Sequence, residues 1–151
     1  YYVATRQYEA ALKKYMEEYN SFMRQCEALG KNAALKGNSP VGAMIIKDHT
    51  IISKAEEAAH SKNDITCHAE IEAIRFALEK LHTNDLSNCI LVTTHEPCIM
   101  CSYVIRFYKL KKVVYKYPVQ YLGSITSDCA LLISQNIPAH WGNPPEIIWL
   151  K

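Results

Sequence analysis

What most constrains the fold is an alternation that begins near Pro40, in which short β-prone runs are separated by stretches with helical spacing. Val41 to Lys47 and Ile51 to Ala55 read as strands joined by a tight turn at Asp48-His49, a hairpin. Cys67, Ile71, Ile74, Leu78 and Leu81 then fall at helical spacing and mark one buried face. Cys89 to Thr94 reads as a strand, Pro97 opens an apolar helix to about Tyr108, and Val113 to Tyr117 reads as a strand again. Such a succession closes through right-handed crossovers, which predicts parallel pairing of the later strands and helices over the sheet.

The flanks are less regular. Arg6 to about Lys36 is rich in Ala, Leu, Lys, Glu, Met and Tyr and has no proline, which predicts one long helix, or two broken near Gly30. The Gly37-Asn38-Ser39-Pro40 cluster stops it. Glu56 to Asn63 reads as a loop, Ser127 to Ser134 as a helix and Glu146 to Leu150 as a last strand. Pro138, Gly142, Pro144 and Pro145 make a stiff loop carrying Trp141. At 151 residues the chain suits one domain: a helical segment over 1–37, a core over 40–132, and a loop and strand over 133–151. It begins at Tyr1 rather than Met, so leading residues are expected to precede it.

A net charge of +2 is too small to demand a polyanionic partner, although it leaves local contact with RNA open. No apolar run reaches the roughly 18 residues needed to span a bilayer, and no secretory signal pattern is visible. The expectation is a cytoplasmic protein without membrane contact. Six cysteines in such a chain read as metal ligands or small core residues rather than a disulfide framework. Cys26, Cys67, Cys89 and Cys129 lack ligand-like spacing and read as core packing.

Cys98 and Cys101 are different. His68-Ala69-Glu70 is followed, thirty positions after His68, by Pro97-Cys98-Ile99-Met100-Cys101. Each motif alone is weak, since His beside Glu is usually a surface pair and C-x-x-C could be a redox motif or half a zinc knuckle. Together they form the H-x-E, P-C-x-x-C signature of zinc deaminases. Residues two apart on a helix flank diverge, so His68 and Glu70 can converge only from the first turn, past the helix end. Cys98 and Cys101 share a face at the next helix opening, where unpaired N–H groups favour thiolates. Three protein ligands, His68, Cys98 and Cys101, leave a fourth tetrahedral position for water, the arrangement of a catalytic Zn²⁺. Glu70 is then the proton carrier.

Over roughly Pro40 to Leu132 the chain resembles the cytidine and purine-base deaminase superfamily. Thr66 to Arg75, Thr94 to Cys101 and Pro40-Val41-Gly42-Ala43 are similar to its guanine deaminase and tRNA adenosine deaminase branch. The resemblance implies a three-layer α/β/α cytidine deaminase-like fold, with a mixed sheet of about five strands and helices on both faces. It also implies a homodimer with active sites near the interface, and substrate contact by the backbone around Ala69, Pro97 and Cys98. The expected activity is hydrolytic deamination of a nucleobase, nucleoside or related amino-heterocycle, a guanine-type purine being favoured. The alternatives are tRNA adenosine deamination, supported by the similarity of the segment after Cys101 that includes Leu122-Gly123-Ser124, and a non-catalytic zinc-stabilised binding module.

One departure matters. The branch commonly carries asparagine eleven residues before the zinc histidine, where this chain has Glu57, with Glu56 beside it. A carboxylate only accepts hydrogen bonds, so Glu57 in the pocket selects an edge with two N–H donors; otherwise both glutamates face solvent. His95 is a candidate pocket residue or the holder of a structural hydrogen bond, while His49, His60, His82 and His140 receive no role. Arg106, Lys109, Lys111 and Lys112 form a basic cluster in sequence, read as a solvated edge. Tyr117, Tyr121 and Trp141 are candidates for stacking on a base, with packing as the default.

Overall fold

The computed structural model describes residues 2–151, the Tyr2 side chain excepted. Helix α1 (Tyr2–Leu35) runs unbroken through Gly30. A Cβ at Gly30 would come within 2.6 Å of the Pro40 carbonyl oxygen, so the glycine serves the close approach of the following loop and does not end the helix. Strands β1 (Gly42–Lys47) and β2 (Thr50–Glu56) form the expected hairpin. Its turn residues Asp48 and His49 have φ of 48° and 62°, the doubly left-handed pair that matches strand twist.

A single turn, α2 (Ala59–Lys62), interrupts the stretch expected to be loop, and α3 (Ala69–Leu81) follows. Then come β3 (Ile90–His95), α4 (Ile99–Phe107), β4 (Lys112–Tyr117) and β5 (Glu146–Trp149). Among the described residues the strands make one five-stranded mixed sheet in the order β2-β1-β3-β4-β5. β1 is antiparallel to both neighbours, and β3, β4 and β5 are parallel.

Period-two alternation decides which layer each strand residue feeds. Ala43, Ile45, Leu91 and Val113 point into a core with Ala73, Ile74 and Ala77 of α3 and Ile105 of α4. Met44, Ile46, Val92 and Val114 point the other way, against Tyr19, Phe22, Met23 and Cys26 of α1. The result is the three-layer α/β/α arrangement. Since β2 and β3 both run antiparallel to β1, they run in the same direction. The helices that follow them, α3 and α4, therefore start at the same edge of the sheet.

Residues 127–134 are not helical but form turns. Arg106, a buried residue of α4, donates to the carbonyls of Leu131, Leu132 and Ser134, so the turns of this segment are gathered around one guanidinium. Cys26, Cys67 and Cys89 are buried as expected, whereas Cys129 is only partly covered. Trp141 lies in a short 3₁₀ turn (Ala139–Trp141) and is buried against Tyr103 and Phe107. No helix among the described residues is long and apolar enough to cross a membrane.

Candidate active site

His68 and Cys98 are the N-cap residues of α3 and α4, each in extended backbone conformation. Neither side chain caps its own helix, so both project past the helix ends into the space between them. Cys101 stands one turn into α4 and is fully buried. The Nδ1 atom of His68 lies 3.6 Å from Cys98 Sγ and 3.4 Å from Cys101 Sγ. The three ligand atoms lie within 4.8 Å of one another. Zinc bonds of about 2.3 Å to sulfur and about 2.05 Å to nitrogen at a tetrahedral angle require an N···S separation of about 3.6 Å. The donor set and its spacing fit Zn²⁺.

The electrostatics favour one thiolate. Hydrogen bonds from the Cys101 thiol, the His68 ring and the Cys101 backbone N–H outweigh burial and bring the Cys98 thiol down to about 4. Cys101 moves the opposite way, through its bond to Cys98, burial and the neighbouring Glu70. His68 is raised, chiefly by its bond to Cys98.

Glu70, 4% exposed, sits in the first turn of α3. Its Oε1 accepts from the Thr93 hydroxyl of β3 at 3.0 Å, and its Oε2 lies 3.6 Å from Cys101 Sγ. Burial raises the carboxyl above the usual range, against the pull of its own N–H and Thr93. Glu57 is 6% exposed and does not face solvent. Its carboxylate accepts the backbone N–H groups of Ser39 and Ala59, both at 3.1 Å, which ties the loop before β1 to α2. Glu56 instead pairs with Asn32 and Lys36.

Glu57, His68, Glu70, His95 and Cys98 all line one cavity of ≈ 160 Å³. His95 Nδ1 lies 2.8 Å from the Thr94 hydroxyl, and burial lowers its pKa. Ala69 and Pro97 are not among the lining residues, and the Pro97 carbonyl accepts from the Ser124 N–H. The basic run near residue 110 does not assemble: Arg106 is buried, and Lys112 lies on the tyrosines Tyr15 and Tyr19 at the start of β4, the far end of that strand from Tyr117. Tyr121 is exposed, and Trp141 is packed away from this cavity.

Sequence reading passed over Glu96. Its buried carboxylate accepts from the N–H groups of Val119, Ile125 and Thr126 and from the Thr126 hydroxyl. It thereby moors the 119–126 loop beside Cys98. A Cβ at Gly123 would overlap that carboxylate, which accounts for the glycine. The available signal was an acidic residue directly before Pro97-Cys98, but nothing in the spacing identifies its partners.

The cytidine and deoxycytidylate deaminase zinc-binding region matches residues 16–117. Over 94 residues, 62% of each chain, the protein is 43% identical to the tRNA-specific adenosine deaminase of Aquifex aeolicus. Over 100 residues, 64% of this chain and 63% of the relative, it is 39% identical to the guanine deaminase of Bacillus subtilis. It thus spans just under two thirds of the length of these curated relatives. A solved structure from work on A-to-I editing by tRNA:A34 deaminases superposes with a TM-score of 0.79 at 28% identity, covering 86% of this chain and 97% of that one. His68, Glu70, Cys98 and Cys101 all fall inside the matched span, and the chain belongs to the cytidine and deoxycytidylate deaminase zinc-binding family.

Proposed function

We propose that the protein is a zinc-dependent hydrolytic deaminase of a nucleobase, nucleoside or related amino-heterocycle, with His68, Cys98 and Cys101 as metal ligands and Glu70 as the catalytic proton carrier. The observation that carries this reading is the buried Glu70 carboxyl, placed beside the three ligand atoms and opening on a cavity. When bound, zinc lowers the pKa of a water to about 7 and so supplies a nucleophile at neutral pH. Glu70 takes a proton from the attacking water and passes it to the ring nitrogen next to the carbon under attack. It then carries the remaining hydroxyl proton to the amino group, so the carbon exchanges NH₂ for oxygen and ammonia leaves. The burial that raises Glu70 strengthens its hold on a proton in transit, which a shuttle requires.

Glu57 bears on the substrate. Each of its oxygens accepts one backbone N–H and has a lone pair left, so it can accept further donors but offers none. This favours an N–H-rich edge, as in a guanine-type purine. Deamination of adenosine in tRNA is the second reading, supported by the likeness to the Aquifex aeolicus enzyme and the 0.79 superposition. The added negative charge at Glu57 weighs against it. A binding module with a purely structural zinc has no use for Glu70. Two copies pairing through α4 fit its exposed apolar residues Ile99, Tyr103 and Phe107, which recur at one face of the helix. A cytoplasmic site of action accords with the thiol ligands.

The test is ammonia release by the zinc-loaded protein across guanine, adenine, cytosine, their nucleosides and amino-substituted triazines, with Glu70→Ala as the blank. Release from guanine-like compounds is expected. Release by Glu70→Ala at the wild-type rate would overturn the mechanism, and preference for a carbonyl-bearing edge would remove Glu57 from substrate selection.

A further inference from the structure

His95 stands where the site meets its surroundings. It lines both the ≈ 160 Å³ cavity shared with Glu57 and Glu70 and a larger space of ≈ 550 Å³ that Tyr117 also borders. Neither the metal ligands nor the proton transfers use it. Its two ring nitrogens have different neighbours, and that difference decides what the ring offers to a molecule in the cavity.

The Thr94 hydroxyl settles which nitrogen carries the proton. Thr94 is 1% exposed, and its Oγ already accepts the Gly42 N–H at 3.3 Å. A buried hydroxyl hydrogen needs an acceptor of its own. The one within reach among the described residues is His95 Nδ1, 2.8 Å from the oxygen. Thr94 therefore donates to a bare Nδ1, and the ring proton sits on Nε2. Burial favours this uncharged ring over the doubly protonated one. Among the described residues Nε2 has no hydrogen-bond partner, so its N–H is left for a molecule in the cavity.

The ring is also held in place. Tyr117 leans on it with ring centroids 5.3 Å apart, and the Tyr117 hydroxyl donates to Glu27 at 2.7 Å. A donor fixed from two sides costs a ligand little ordering to use. Resting on the deaminase reading above, we propose that His95 is a specificity-determining residue whose Nε2–H donates to an acceptor on the heterocycle, an unprotonated ring nitrogen or a carbonyl oxygen. Thr94 is its positioning residue, through the tautomer it imposes. Glu57 only accepts and His95 only donates, so the pair selects a base that carries both N–H groups and an acceptor, as guanine does, over one that lacks either.

The first test needs no substrate. In the zinc-loaded protein with isotope-labelled histidine, long-range proton–nitrogen correlation spectra slightly above neutral pH should show His95 with a bare Nδ1 and a protonated Nε2. Thr94→Ser should keep that single tautomer, and Thr94→Val should give a mixture. A protonated Nδ1 in wild type would overturn the assignment, and an unchanged spectrum in Thr94→Val would overturn the role of Thr94. The second test compares kcat/KM for guanine, for two analogues with C–H in place of one imidazole-ring nitrogen, and for the analogue that lacks the carbonyl oxygen. Wild type is expected to disfavour at least one analogue by roughly tenfold, the worth of one hydrogen bond. His95→Leu should lose that discrimination by slowing guanine to the level of the analogue. His95→Gln, whose amide still donates, should keep part of it, with zinc content at the wild-type level in both variants. Equal values for all four compounds in wild type, or discrimination as strong in His95→Leu, would overturn the proposal. If no compound releases ammonia, the guanine-type deaminase reading fails, and calorimetric titration with the same four compounds decides His95 separately. A preference for guanine that His95→Leu abolishes supports the proposal, and equal or absent binding overturns it.

Discussion

His68 and Cys98 do their work from N-cap positions, where a side chain is free to leave the helix axis and the adjacent N–H groups favour negative charge. The Cys101 thiol, the His68 ring and the Cys101 backbone N–H hold the Cys98 thiol at about 4. Removing either thiol leaves two of the three candidate ligand atoms. Cys98→Ala and Cys101→Ala are each expected to retain less than about a tenth of the wild-type zinc by elemental analysis. Wild-type zinc content in both would mean that the ligand set is wrong. Glu70→Gln leaves all three ligand atoms in place, so zinc content should stay at the wild-type level while kcat falls by about 10² to 10⁴-fold. The four candidate residues, which the structure brings together, were legible in the sequence because the proposed chemistry is carried by residue type and short spacing. Glu96, Thr93 and Ser39 were not legible, since an acid, a hydroxyl and a backbone N–H acquire a role only from partners 20 or more positions away, or 18 in the case of Ser39 and Glu57.

Among the elements, α1 was readable as a helix from composition, yet its seat on the sheet depends on two glycines. Gly30 admits the Pro40 carbonyl, and Gly42 at the start of β1 lies so close to α1 that a Cβ would overlap the Cys26 carbonyl and meet Leu29 Cβ at 2.8 Å. Backbone and a helix-borne Cβ cannot turn aside as a flexible side chain can. Gly42→Ala should therefore cost about 2 kcal/mol through overpacking, seen as a fall in Tm of about 4–8 °C in thermal melts. An unchanged Tm would mean that α1 shifts freely on the sheet. The segment over 127–134 shows the opposite failure: local preference suggested a helix, whereas the chain forms turns whose carbonyls at Leu131, Leu132 and Ser134 bind Arg106, 25 to 28 positions away. Periodicity carries no record of such a partner.

Across the whole molecule, the parts that approach the site are tied by buried carboxylates. Glu57 joins the loop before β1 to α2, Glu96 moors the 119–126 loop, and Glu72 of α3 binds Lys62 of α2 and Arg75, each at 2.7 Å. For Glu72, burial pushes the carboxyl upward, but the contacts with Lys62 and Arg75 prevail and hold it below its usual 4.5. A value lower in the folded than in the unfolded chain adds stability above about pH 4.5, and that stability is lost as pH falls through the folded value. Both cations are about half exposed, so the contribution is modest, about 1 kcal/mol. Glu72→Gln should lower the denaturation midpoint in urea at pH 7 and flatten its decline between roughly pH 6 and 3. An acid limb as steep as that of the wild type would assign the decline to other carboxylates.

By itself the sequence determined the hairpin at Asp48-His49, the strand and helix periods between Val41 and Tyr117, and the candidate metal-binding and proton-carrying residues, because each depends on neighbours within a few positions. The tertiary structure alone decided that β2 and β3 run the same way, which puts the openings of α3 and α4 at one edge and brings His68 within 3.6 Å of Cys98 across thirty residues. It also decided that Glu57 is buried on backbone donors and that Glu27 of α1 meets Lys116 and Tyr117 of β4. These are long-range pairings, set by how layers pack on a twisted sheet, and no local pattern specifies them.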